Sequence, residues 1–208
     1  METRPSLVDL AEARALRALK QQLDSGVDIN ETAADGRVAL HVAFAEGLEE
    51  MARYLLERGA NATLVDASGY TGLHWAARSN HAAMLELAYR TGRQDVDVTD
   101  NKGRTPLSWV SQGNDLVALE WLLAKGADPN RVDHDGWGPL HYAAADGNVE
   151  VVTTLLRCGA RPLLRLPPNE GEEYGPSARD LARHFAPHEP HAATLLQAAE
   201  ERQVPPDE

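Results

Sequence analysis

The stretch DGWGPLHYAAADGNVEVVTTLLRCGA, Asp135 to Ala160, holds a turn glycine, an apolar helical run, a second such run and a closing glycine. A near copy, KGRTPLSWVSQGNDLVALEWLLAKGA, runs from Lys102 to Ala127 just before it. The opening glycines fall at Gly36, Gly69, Gly103 and Gly136, steps of roughly 33, 34 and 33 residues, which marks a repeat period. The closing glycines, Gly26, Gly59, Gly92, Gly126 and Gly159, keep the same rhythm. Between them one template recurs: VALHVA (38–43), TGLHWA (71–76), TPLSWV (105–110) and GPLHYA (138–143). The single longer step is assigned to one extra residue, Gln94, in TGRQDVDV.

Each unit has a physical reading. A turn glycine such as Gly136 tolerates positive φ, and Pro139, like Pro106, suits a first helical turn because it has no N–H to lose. Leu140 and Ala143 lie at i and i+3, the start of a narrow apolar stripe on a short helix of small residues. A second helix carries Val151, Val152, Leu155 and Leu156 in one unit and Ala118, Leu119, Leu122 and Leu123 in the other, and stops at Gly159 or Gly126. Helices this short cannot bury their apolar faces alone, so each unit must stack on its neighbours.

The period, the T-P-L-H-x-A pattern and the closing LLxxGA resemble the ankyrin repeat. The resemblance implies an all-α solenoid: four helix-turn-helix units over residues 33–162, joined by hairpin-like loops, with degenerate caps. Val38 and Gly138 replace the motif threonine, Gly72 its proline and Ser108 its histidine, departures expected to loosen single turns. Residues 1–32 read as an N-terminal cap of helices, in which Gln21 and Gln22 stand near positions that are leucine in internal units. Residues 163–202 read as a degenerate last repeat, with Ser177 to Ala182 in the motif's place. An inserted loop at Pro167 to Tyr174 is expected to be solvated, because two prolines and three glutamates leave little to bury. Residues 203–208 read as a disordered tail.

A chain of 208 residues with 43% hydrophobic content suffices for one continuous array. A net charge of -12 argues against nucleic acid and anionic membranes, both of which demand clustered Lys and Arg, and favours a basic protein partner. The lone Cys158 permits no internal disulfide and reads as a packed or half-packed thiol in a reducing compartment. No continuous apolar leader or membrane-length run is present, so a cytoplasmic protein is expected, and a monomer.

Chemistry is sparse. His41, His74 and His141 recur at the repeat period, and the resemblance implies that they hydrogen-bond within the turn and to the adjacent hairpin rather than act on a substrate. His184 and His188 share the i, i+4 spacing of metal ligands, with His191 nearby, yet Pro187 and Pro190 interrupt the helix. DVDVTDNKG, from Asp95, fails the calcium-loop pattern at Thr99 and Asp100 and reads as a connector. Ser108 and His141 both occupy the structural histidine slot, which argues against a nucleophile and base. No phosphate-binding loop, nucleophile elbow or C-x-x-C is found, and no cofactor or metal is expected.

What remains is a surface. The resemblance implies that hairpin tips and the exposed end of the first helix form a concave binding face. The tip residues after each glycine are Arg37, Tyr70, Arg104 and Trp137, residue types enriched at binding hot spots. With repeats about 10 Å apart, Tyr70 and Trp137 are expected roughly 20 Å apart with Arg104 between them. Arg78, Lys102, His134, Asp135 and Asp146 fall at neighbouring variable positions. Trp137, at an exposed tip, is expected to contribute to binding and little to stability. Trp75, Trp109 and Tyr142 occupy the motif's x, usually apolar in the family, and read as packing between repeats; Trp121 sits on a second helix and marks an outer-face patch. The reading is a noncatalytic cytoplasmic adaptor, or an inhibitor of immunity type, binding one protein. A secreted effector shares this fold, and an enzyme with an unmarked site is the remaining class.

Overall fold

The computed structural model describes residues 4–79, 81–92, 95–113, 115–168 and 175–203. Gln94, the loop residues 169–174 and the tail residues 204–208 lie outside them, and with them the expectations placed there; Pro167 and Pro168 are exposed. The chain divides into two compact units, residues 1–101 and 102–208.

Unit one holds α1 (Leu7–Glu12), α2 (Leu16–Asp24), α3 (Ala39–Ala45), α4 (Glu49–Glu57), α5 (Gly72–Ala77) and α6 (Ala82–Thr91). Unit two holds α7 (Pro106–Val110), α8 (Leu116–Ala124), α9 (Pro139–Ala145), α10 (Val149–Arg157), α11 (Ala178–Phe185) and α12 (Pro190–Gln203). Consecutive helices pair as hairpins. First helices pack on first helices, α1 on α3 on α5 and α7 on α9 on α11, while α8, α10 and α12 form the second row of unit two. The core lies between the rows: Leu40, Phe44, Leu55, Met84 and Leu85 in unit one, and Leu107, Leu119, Leu122, Leu155 and Leu196 in unit two.

The second helices end alike. Gly59 adopts φ +90°, its N–H bonds the Leu56 carbonyl, and the Ala60 N–H reaches back to Leu55, so the last carbonyls are satisfied by one left-handed residue. Gly126 and Gly159 repeat this with Ala127 to Leu122 and Ala160 to Leu155. Gly92 departs from the expected rhythm: its φ is -80°, and α6 runs up to it, leaving Gly92 as the cap rather than the left-handed residue beyond.

The N-terminal segment uses a polar residue as its anchor. Gln22, on α2, donates to the Pro5 carbonyl and accepts from Arg4, holding the segment that leads into α1. The corresponding positions of α4, α8 and α10 are the buried leucines Leu55, Leu122 and Leu155.

Candidate functional site: hairpin tips and first helices

Each tip is built around its first residue. In unit two the Asp133 N–H donates to the Trp137 carbonyl (2.9 Å) and the Gly136 N–H to the Asp133 carbonyl (3.0 Å). The Asp133 carboxylate then accepts from the backbone N–H groups of Asp135 (3.0 Å) and Trp137 (2.8 Å). Asp66 does the same for Ser68 (2.8 Å) and Tyr70 (3.0 Å) in unit one. Both carboxylates are buried, as is Asp100 at the corresponding place. In the first tip Ala33 stands there, and Asp35 instead takes the Arg37 N–H (3.1 Å) and its Nε–H (2.5 Å). Asp66 and Asp133 were not singled out from sequence, and Asp100 was read as part of a connector, although D-x-x-G recurs at 66, 100 and 133.

Tips also bond to one another within a unit. Ala67 N–H donates to the Asp35 carbonyl (2.9 Å), Asn101 N–H to Ser68 (3.0 Å) and, in unit two, His134 N–H to Lys102 (2.9 Å). This close approach, with φ +80° at Gly36, explains the glycine: a Cβ there would lie 2.6 Å from the Ala67 nitrogen.

The histidines are structural. Nδ1 of His141 accepts the Gly138 N–H (3.1 Å), which fixes the tautomer so that Nε2–H donates to the Leu164 carbonyl (3.1 Å) in the following hairpin. His41 bridges Val38 N–H (3.4 Å) and Leu64 carbonyl (3.0 Å) in the same manner, and His74 Nδ1 takes the Thr71 N–H (3.3 Å). Ser108, in the same slot, is buried and bonded to its own N-cap, Thr105. Asp180 fills the slot in the last unit, accepting from the Ser177 N–H (2.9 Å).

Burial pushes His41 and His141 below the ordinary histidine value, so the fold favours the neutral rings. Their contribution to stability is complete above pH 6.5, the unfolded value, and is lost as pH falls from there through the lowered folded values. The melting temperature is therefore expected to drop between pH 7.5 and 5.5, and to drop less steeply in a His41→Gln, His141→Gln double variant. Equal slopes for the two proteins would show that other groups carry the pH dependence.

The structure joins tip residues to motif residues that sequence reasoning kept apart. In unit one the Arg37 guanidinium lies 5.8 Å from the Trp75 ring centre and that of Arg78 5.3 Å from it, while Tyr70 meets Trp75 edge-on at 5.7 Å. A groove of about 550 Å³ is lined by these two arginines and Trp75 with Val42, Glu12 and Glu46. Arg37 is anchored by Glu12 (2.9 Å) as well as Asp35, and Glu46 by Arg14 (2.9 Å).

In unit two Arg104 stacks over Trp109 at 4.6 Å and Trp137 over Tyr142 at 5.1 Å, with the Tyr142 hydroxyl donating to the second oxygen of Asp133. Trp75, Trp109 and Tyr142 are half-buried, each with tip side chains against its ring: Arg37 and Tyr70 on Trp75, Arg104 on Trp109 and Trp137 on Tyr142. Trp137 is also half-buried, against Tyr142 and His141, which corrects the expectation of a freely exposed tip ring. Lys102, His134 and Asp135 are exposed around these tips, and Asp146 is exposed at the C-cap of α9, where partial desolvation pushes its carboxyl upward.

The other candidates separate. α11 stops at Phe185 and α12 starts at Pro190, so His184 and His188 do not share a helix; among the described residues no three His, Cys, Asp or Glu side chains gather as metal ligands. Asp95 accepts the Asp97 N–H (3.0 Å), and Asp100 is a buried tip residue. Cys158 is exposed rather than packed, because the C-cap of α10 turns it outward. Trp121 carries Lys125 over its ring at 5.1 Å beside exposed Val117. No helix among the described residues is long and apolar enough to cross a membrane.

A family model described as ankyrin repeats (3 copies) matches residues 7–93 and 86–165. The chain is similar to neurogenic locus notch homolog protein 1 of Danio rerio, 35% identical over 131 residues, covering 63% of this chain and 5% of that protein. It is also similar to palmitoyltransferase AKR1 of Lachancea kluyveri, 29% identical over 149 residues, covering 70% of this chain and 20% of that one. Rabankyrin-5 of Mus musculus is 32% identical over 145 residues, covering 64% of this chain and 12% of that one. The chain thus spans at most a fifth of the length of these relatives.

Proposed function

This chain belongs to the ankyrin-repeat family, a family of protein interaction modules, and from that premise we propose that it binds a partner protein through its tips and first helices without catalysing a reaction. The observation that supports this reading is the stacked surface itself. The polar groups of the repeat, its histidines and buried aspartates, are consumed in holding the tips, while Arg37, Trp75 and Arg78, and Arg104, Trp109, Trp137 and Tyr142, are held at the surface in fixed geometry. Aromatic and arginine anchors with little rotameric freedom left to lose are what a hot spot requires.

A dedicated adaptor or inhibitor acting in the cytoplasm as a monomer is the role we assign. The net charge of -12 supports a partner whose facing surface is basic on average, since that field accelerates encounter. Affinity capture from the native source with the wild-type chain, beside an Arg78→Ala, Trp137→Ala variant, tests this. Partners held by the wild type are expected to be lost from the variant; the same partners at the same yield on both would place binding elsewhere.

A further inference from the structure

We propose that the groove between α10 and α12 is a second docking surface, one that takes an acidic, leucine-bearing segment of a partner protein. The groove measures about 340 Å³. Its lining is largely apolar: Leu156 and Leu195 are only half-buried, and Ala160, Pro162, Ala198 and Ala199 line it with them. Arg157 lies in the last turn of α10 and Arg202 in the last turn of α12, and both line the groove with exposed side chains.

Among the described residues no carboxylate lines this groove and neither guanidinium forms an ion pair. The local sign is therefore opposite to that of the chain, whose net charge is -12. A segment that buries leucine against Leu156 and Leu195 while presenting carboxylates to the arginines satisfies both halves of the groove, since guanidinium and carboxylate form charge-assisted, bidentate pairs. A basic segment would place like charges together. This surface shares no residue with the tips, so it stands apart from the reading above.

The test is a fluorescence anisotropy titration of the full chain with a short fluorescein-labelled peptide built from alternating leucine and glutamate pairs, and with its lysine-for-glutamate counterpart. The acidic peptide is expected to bind, the basic one not. Arg157→Glu with Arg202→Glu should weaken binding by at least about tenfold, with the helical circular dichroism spectrum unchanged, because both residues are exposed. Trp137→Ala should leave peptide binding intact. Equal binding of both peptides, or of wild type and double variant, overturns the proposal. Loss of binding on Trp137→Ala would move the peptide to the tips, and sedimentation showing that the groove pairs two copies of the chain would give it a different occupant; either result overturns it as well.

Discussion

Replacing Phe44 by Ala should remove about 3–5 kcal/mol of folding free energy, the range for truncating a fully buried aromatic, and so a large share of the marginal stability of a small unit. Phe44 is completely buried in α3, at a place where the corresponding residues of the other units are small: Ala77, Ser111 and Ala144. Room for the ring comes from the next repeat. A Cβ on Gly72 would lie 2.8 Å from Phe44 Cε2 and 3.0 Å from Cδ2, so the missing proline of TGLHWA is the space the ring occupies. Gly72→Ala should therefore destabilise by about 1–3 kcal/mol through overpacking, despite the better helix propensity of alanine. In a Phe44→Leu background that penalty should largely vanish, a coupling visible in a double-mutant cycle by urea denaturation. Additive effects, or a Phe44→Ala protein within about 1 kcal/mol of wild type, would mean that the two departures from the template are unrelated.

The pair shows what the sequence could and could not disclose. Period and turn glycines follow from residues that recur in register, and recurrence is visible in one dimension. Gly72 looks like a loosened turn in its own repeat; only the position of a ring about a period earlier in the chain turns it into a packing requirement. The same holds at the tips. Arg37, Tyr70, Arg104 and Trp137 were identifiable as tip residues by their glycines, but their partners five residues along the chain, or in the next repeat as with Arg37 and Trp75, were separated from them by a helix boundary. A motif position that is usually apolar carries no information about how much of a large ring stays in water. Asp66 and Asp133 were legible in principle, since D-x-x-G keeps the period, yet an acidic residue before a turn reads as solvated until its two backbone donors are seen.

Trp137 and Leu140, three residues apart in sequence, should fail in different ways. Leu140 is buried in the first turn of α9, and Leu140→Ala is expected to lose about 2–5 kcal/mol through lost burial and a residual cavity. Any loss of partner affinity should then follow the unfolded fraction and disappear where the variant is fully folded. Trp137→Ala removes the tilted ring contact with Tyr142 and the edge contact with His141, so its folding cost is about 1 kcal/mol, more than a free surface ring and less than a core residue. Its binding cost should be on the order of 2 kcal/mol or more, about thirtyfold in affinity, because the backbone bonds to Asp133 and the platform of Tyr142 hold the ring in one place before the partner arrives. Tyr142→Phe separates the two supports: it keeps the stack, removes the hydroxyl that bonds Asp133, and should fall between wild type and Trp137→Ala in affinity. Melting curves and affinities for the captured partner, measured on the three variants, decide the matter. A Trp137→Ala protein that binds as wild type but melts several degrees early would show that the ring serves the fold alone, and that the stacked tips are not where the partner lands.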